Sequence, residues 1–257
     1  MKERYILGIF YILTGILALF IAPSFQSAGM QAFEDTSDVS NSFTYILMIL
    51  AFTAFILLVI KLKKSLLKPL FYSLLLLTYF YGFMPFIGIL SFIPSIILLY
   101  LLIKKRHWIV INVSAVIIGA TVTAIFGISM EPLPVIILLT ALAIYDYLAV
   151  YKTKHMLTLA DSVSEMGIPV IFIIPGKERD AIMGVGDAVM PNILVVSGLV
   201  FGNCISVPLV TFIFGMAGLF ILLAKVEKSK KAHPGLPILN FSAILGYISG
   251  LGLCMVF

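Results

Sequence analysis

The chain has 257 residues, of which 61% are apolar and 11% charged, and its mean hydropathy is +1.16. Soluble domains carry about 25% charged residues, so this composition excludes a soluble enzyme, a DNA-binding module and a disordered chain. The net charge of +5 therefore indicates membrane topology rather than a nucleic-acid partner. We predict a polytopic membrane protein.

Nine apolar runs are long enough to cross a bilayer core about 30 Å thick as α-helices. They cover residues 5–22, 43–60, 66–81, 85–103, 108–128, 133–151, 181–201, 204–224 and 236–257. The first run has the alternative of a signal peptide, but it is long for an h-region of about 7–15 residues. We expect an all-α fold with nine transmembrane helices.

Basic residues orient these spans, because Lys and Arg are enriched in cytoplasmic loops. With nine spans, all 17 Lys and Arg residues lie on one side of the membrane, and every charged residue in the loops on the other side is acidic. We therefore predict that the N-terminus is cytoplasmic and the C-terminus lies outside.

The longest linker on the basic side, residues 152–180, contains an apolar stretch at 167–174. This stretch is too short to cross the membrane and is rich in β-branched residues, so it predicts a strand or an interfacial segment. Cys204 and Cys254 both fall towards the outer face, where two readings are open: a disulfide, or free apolar residues, which we favour.

Two of the twelve acidic residues fall inside predicted spans, Asp146 in the sixth and Asp187 in the seventh. A carboxylate near the bilayer centre costs about 2.5–3.5 kcal/mol on insertion scales, so such residues indicate a functional site. Asp146 lies about 9 Å and Asp187 about 12 Å from the basic residues at the same face, at 1.5 Å per helical residue. We expect the two carboxyls to face each other.

Two facing carboxyls in a low dielectric share one proton, because they cannot both ionise. Aspartic proteases use this asymmetry: the ionised carboxylate takes a proton from water and its partner donates one to the scissile carbonyl. That chemistry requires no metal and no cofactor. The acids alone equally fit a proton or cation relay in a secondary transporter.

Local sequence around the acids favours proteolysis. Paired glycines let another backbone approach closely and let a helix loosen, and paired prolines leave irregular backbone that must face protein or water. The three motifs, on spans six, seven and nine, are Tyr145-Asp146, Gly184-Val185-Gly186-Asp187 and Pro234-Gly235-Leu236-Pro237.

This combination resembles the presenilin/signal peptide peptidase family of intramembrane aspartyl proteases, over about residues 133–257. The resemblance implies that Asp146 and Asp187 are catalytic, and that residues 1–132 form a scaffold for catalytic helices in 133–257. The residues implied to support the active site are Tyr145, Gly184 and Gly186, and those implied to bind substrate are Pro234, Gly235, Leu236 and Pro237.

Other properties follow as implications of the same resemblance. The orientation is presenilin-like, the location is the cell membrane, and the partners are transmembrane-helix protein substrates within the lipid bilayer. Gly235 stands where the family usually has Ala, and the linker is short, as in a compact microbial homologue that acts without partner subunits.

A prepilin-peptidase-like enzyme shares GxGD but is disfavoured, because its CxxC is missing. Whether the chain forms a homo-oligomer stays open.

The substrate helix must unwind before hydrolysis, because its amides are held in internal hydrogen bonds. We therefore expect either the stretch 167–174 or the backbone of the proline motif to pair with the opened substrate as an added strand.

Overall fold

The computed structural model describes residues 2–63, 66–105, 107–149, 169–176, 180–229 and 233–256. Within these ranges the chain forms nine α-helices and one two-stranded sheet. The helices are α1 Lys2–Ser27, α2 Ser40–Lys63, α3 Leu67–Ile87, α4 Phe92–Lys105, α5 Trp108–Ser129, α6 Pro132–Leu148, α7 Val185–Val200, α8 Ser206–Ser229 and α9 Leu236–Val256. The strands are β1 Ile171–Ile174 and β2 Ala181–Gly184.

The helices carry enough apolar length for a multi-pass membrane protein. In lipid, a helix is favoured because it satisfies its own backbone hydrogen bonds. The described stretches long and apolar enough to span are Tyr5–Ser27, Leu67–Lys105, Trp108–Ser129, Ser206–Glu227 and Leu236–Met255, and shorter apolar stretches lie in α2, α6 and α7. The all-helical membrane class is confirmed, whereas nine spans and a cytoplasmic N-terminus stay predictions.

Helix α7 lies at the centre of the molecule. It packs against α1, α5, α6, α8 and α9, and eleven of its sixteen residues are buried. The main hydrophobic core also includes residues of α2 and of both strands. This core therefore crosses residue 132, and the division into an N-terminal scaffold and a catalytic part stays a prediction.

The apolar stretch of the linker forms a strand where the structure describes it. β1 pairs with β2 in antiparallel register, with Ile171 opposite Gly184 and Ile174 opposite Ala181. The strand prediction is confirmed for residues 171–174. Gly167 and Ile168 lie outside the described residues, as do all other linker residues at 152–168 and 177–179.

The predicted start of the seventh span is wrong. Residues 181–184 were expected to open a helix, but they form β2, and α7 begins at Val185. The pairing continues one step further, since the Val185 N–H donates to the Val170 carbonyl at 3.0 Å. Pairing with β1 overrides the helical continuation that an apolar run suggests, because strand pairing depends on a partner distant in sequence.

The boundary between the third and fourth spans is also placed wrongly. The sequence predicts a break between residues 81 and 85, but α3 continues through Pro85 to Ile87. A 3₁₀ turn, Gly88–Ser91, then leads into α4. Gly88 has φ +57°, a conformation that side-chain-bearing residues rarely adopt, so the glycine rather than the proline ends the helix.

The expectation of free cysteines is wrong. Cys204 and Cys254 form a disulfide, with Cα atoms 6.1 Å apart. α8 and α9 are packed neighbours, and the disulfide joins the turn before α8 to the last turn of α9. A separation of 50 residues in sequence conceals this proximity.

Candidate active site

Asp146 lies in the last turn of α6, where its side chain is 9% exposed. Its Oδ2 accepts a hydrogen bond from the backbone N–H of Leu236 at 3.1 Å. Leu236 is the first residue of α9, and the preceding carbonyl, that of Gly235, accepts the Leu239 N–H at 3.2 Å. The Leu236 N–H is therefore one of the donors that a helix leaves unsatisfied at its start, and Asp146 caps it.

Asp187 lies in the first turn of α7 and is half-buried. Gly184, in an extended conformation, precedes the helix as its N-cap residue. A Cβ built on Gly184 would lie 3.5 Å from Oδ2 of Asp187, so the carboxyl lies beside the N-cap residue. An acidic residue at the third helical position is typical of a helix start, which agrees with α7 beginning at Val185.

The backbone between Gly235 and Leu236 lies next to both acids. A Cβ built on Gly235 would lie 2.9 Å from Oδ1 of Asp187, while the next N–H, that of Leu236, binds Asp146. The backbone at 235–236 therefore lies beside both carboxyls. A side chain larger than that of glycine at this position would require the Asp187 carboxyl to rotate.

Both carboxyls lie at the N-terminal ends of helices, Asp146 at α9 and Asp187 at α7. The partial positive charge of a helix N-terminus stabilises an anion by about 0.3–1 kcal/mol, and by up to ~2 kcal/mol in partly buried sites. Backbone dipoles thus favour negative charge at both positions. Among the described residues, no group of three or more His, Cys, Asp or Glu side chains is placed to hold a metal ion.

The remaining predicted site residues are distributed around this pair. Gly186 is exposed, and a Cβ added there would meet no protein atom within 4 Å. Pro234 is buried, and Pro237 lines an apolar recess of about 330 Å³ between α6 and α9 together with Tyr147 and Asn240. Tyr145 lines a smaller recess of about 40 Å³ shared with α2, and its supporting role stays a prediction.

Sequence reasoning missed one residue next to the site. Asn112 of α5 is buried, and its side chain bonds both backbone groups of Ile173 in β1. The only signal was a carboxamide in an apolar run, which must find a hydrogen-bond partner inside lipid. The sequence could not identify that partner, because 61 residues separate the two.

Comparisons with known proteins bear on the family of the chain. The sequence model of the family described as "Signal-peptide peptidase, presenilin aspartyl protease" matches residues 7–256. Presenilin-B of Dictyostelium discoideum is 33% identical over 135 residues, a match that covers 49% of this chain but only 28% of that protein.

Two solved structures, each described as a presenilin family intramembrane aspartate protease, are similar over almost their whole length. The one in space group C222 has a TM-score of 0.79 and 32% identity, covering 98% of this chain and 99% of the other. The one in space group P2 has a TM-score of 0.75 and 34% identity, covering 96% of each chain.

The all-helical membrane fold and these matches thus define the class of intramembrane aspartyl proteases. The chain is a member of the signal-peptide peptidase and presenilin aspartyl protease family. The transporter relay that the acids alone left open finds no support in these matches.

Proposed function

We propose that this chain is an intramembrane aspartic endopeptidase that hydrolyses peptide bonds within transmembrane segments of membrane proteins. The observation that carries the proposal is that the carboxyls of Asp146 and Asp187 both lie beside the same stretch of backbone, residues 235–236. A family-wide match over residues 7–256 supports the reaction class.

In the proposed reaction the two carboxyls act as one acid–base pair. The ionised carboxylate removes a proton from a water molecule, and the resulting hydroxide oxygen forms a bond to the scissile carbonyl carbon. The protonated carboxyl gives its proton to the carbonyl oxygen, which leaves a neutral gem-diol. Collapse of that intermediate breaks the C–N bond: one carboxyl gives its proton to the leaving nitrogen, and the ionised carboxyl takes a proton from a gem-diol hydroxyl, which restores the pair.

The surroundings of the pair support this division of labour. Asp146 accepts a hydrogen bond from the Leu236 N–H at the start of α9, and Asp187 lies in the first turn of α7, so each carboxyl lies at a helix N-terminus. Such fixed donors hold the carboxyls in place without reorganisation during the reaction. We assign Gly184 and Gly186 to the support of this geometry, and the motif 234–237 to the substrate side of the site.

The sheet supplies a place for the unwound substrate. The N–H and C=O groups of successive residues in a strand point alternately to its two edges. Asn112 binds both the N–H and the C=O of Ile173, so the backbone groups of Ile173 face away from β2. By the register, Ile182 then faces away from β1. We therefore propose strand addition at the outer edge of β2, at Ile182, in place of the stretch 167–174, because Asn112 occupies the outward-facing groups of Ile173.

We further propose nine spans with the N-terminus in the cytoplasm and the C-terminus outside. The disulfide between Cys204 and Cys254 supports this orientation, because the prediction places both residues on the outer side and disulfides persist in oxidising compartments. Transmembrane helices with their C-terminus inside are the proposed substrates, and the location is the cell membrane.

The decisive experiment is cleavage of a single-pass transmembrane reporter by the purified chain in detergent. Asp146→Asn and Asp187→Asn should each abolish cleavage, because an amide can neither accept the proton from water nor share one with the remaining acid. A peptidomimetic hydroxyl isostere should inhibit the native chain. Asp180, an acid outside the pair, offers the matched control: Asp180→Asn should retain cleavage.

Retention of cleavage in either single variant would refute the proposal. So would coupled proton or cation flux through vesicles with no proteolysis, because that result assigns the pair to transport. Each variant should show the same thermal unfolding midpoint as the native chain within a few degrees, which separates lost chemistry from lost folding.

A further inference from the structure

The side chain of Asn112 behaves towards β1 as a neighbouring strand would. Its Nδ2 donates to the Ile173 carbonyl at 2.7 Å, and its Oδ1 accepts from the Ile173 N–H at 2.9 Å. Asn112 is 1% exposed, so both bonds lie in a dry environment where each partner depends on the other. One carboxamide thus satisfies a complete pair of strand-edge groups.

These bonds fall on the edge of β1 that β2 does not use. The Val170 carbonyl accepts a hydrogen bond from the Val185 N–H on the edge that faces β2. Because backbone groups alternate between edges, those of Phe172 and Ile174 also face β2. Ile173 therefore presents its groups outward, and Asn112 occupies them. An open strand edge is a template for an added strand, so the occupied position blocks addition on this side.

The hairpin is held by side chains as well as by this bond. Phe172 is fully buried and stacks on Phe10 of α1, with ring centroids 5.3 Å apart. β1 therefore has fixed depth and fixed rotation relative to α1 and α5. Because β2 runs straight into Gly184 and α7, the position of β1 also fixes the position of Asp187 relative to the edge at Ile182.

We propose that Asn112 is a positioning residue that closes the outer edge of β1 and so directs an incoming substrate strand to the outer edge of β2, in a fixed register beside Asp187. The proposal rests on the proposed proteolysis. Register matters because the strand repeat is two residues, so a slip of the hairpin moves a different peptide bond to the carboxyls.

The test compares Asn112→Leu with Thr121→Val. Leu removes both bonds to Ile173 at similar volume, whereas Thr121 is an equally buried α5 residue whose hydroxyl bonds only its own helix, at the Ile117 carbonyl. We expect Asn112→Leu to lower kcat about ten- to a hundredfold with little change in KM. We also expect mass spectrometry to find added products, mainly displaced by two residues.

Hydrogen exchange gives a readout that does not require catalysis. The Ile173 amide should lose protection in Asn112→Leu and keep it in Thr121→Val. Asn112→Ser, which keeps a small polar side chain but cannot reach both groups, should act in the same direction and serves if the Leu variant fails to fold.

The outcomes separate this proposal from the proposed function. An unchanged product pattern with unchanged exchange at Ile173 overturns the positioning role, and so does an equal change in the Thr121→Val control. If the native chain does not cleave the reporter, the proposed function fails, while the exchange experiment still decides whether Asn112 anchors β1.

Discussion

Helices α7 and α4 are close in length but occupy different environments. Eleven of the sixteen residues of α7 are buried, whereas α4 buries only Ser95 and Leu102 of its fourteen residues. Both helices are apolar, so their difference is one of neighbours and not of composition. In water the exposed α4 would be a defect, but lipid is as apolar as its side chains.

The difference explains where function can be built. A buried acid needs fixed donors, and only a helix surrounded by other elements can place them on several sides. Asp187 on α7 meets the backbone of α9 and lies at the end of β2, whereas α4 offers its surface mainly to lipid. We therefore expect substitutions around α7 to change activity and substitutions around α4 to change stability.

The largest expected effect of a single added side chain is at Gly235. Its Cβ position lies 2.9 Å from Oδ1 of Asp187, so the two γ-methyls of Gly235→Val have no room unless the carboxyl moves. We expect a loss of about a hundredfold in kcat for reporter cleavage, the scale of a misplacement near 1 Å.

Gly235→Ala is the graded control for that experiment. The contact at 2.9 Å is with the end of a side chain, which can rotate, so this variant should lose only a small part of the activity. The steric argument is wrong if the Val variant cleaves as fast as the Ala variant.

A smaller effect is expected at the outer edge of β2. Ile182→Pro deletes a backbone N–H that the hairpin does not use, so it should reduce cleavage by about two- to tenfold, the value of one backbone hydrogen bond to substrate. Ile182→Thr, which changes the side chain and keeps the N–H, should leave cleavage near the native rate. Equal rates for the two variants would show that no substrate strand pairs with this edge.

Much of the fold could be predicted from apolar run lengths, since lipid leaves the backbone few alternatives to helices. The errors fall where tertiary partners decide the structure. Residues 181–184 read as the start of a helix because nothing local shows that β1 lies beside them. The sequence left pairing of the two cysteines open for the same reason, because their proximity depends on the packing of α8 against α9.

For the site, the sequence supplied the acids and the glycines but not the contacts between elements. A carboxylate in an apolar span indicates a functional site because its insertion into lipid costs free energy, and prolines mark irregular backbone. Neither signal shows that the Leu236 N–H caps Asp146 or that Asn112 binds Ile173, since both contacts join distant segments. In lipid, the pattern of apolar residues does not distinguish the protein-facing side of a helix from its lipid-facing side. Contacts between distant segments can therefore be identified only from a structure.

The smallest expected effect on activity is at the turn between α3 and α4. Gly88 has φ +57°, and a Cβ there would meet no atom within 4 Å, so Gly88→Ala adds backbone strain and no clash. We expect a loss of about 1–3 kcal/mol in unfolding free energy, measured in detergent, with unchanged reporter cleavage. Gly252→Ala in α9 has equally open surroundings but no positive φ, so it should be neutral or slightly stabilising. Loss of cleavage in Gly88→Ala at matched folding would show that α3 and α4 communicate with the carboxyl pair, which the contrast between α7 and α4 denies.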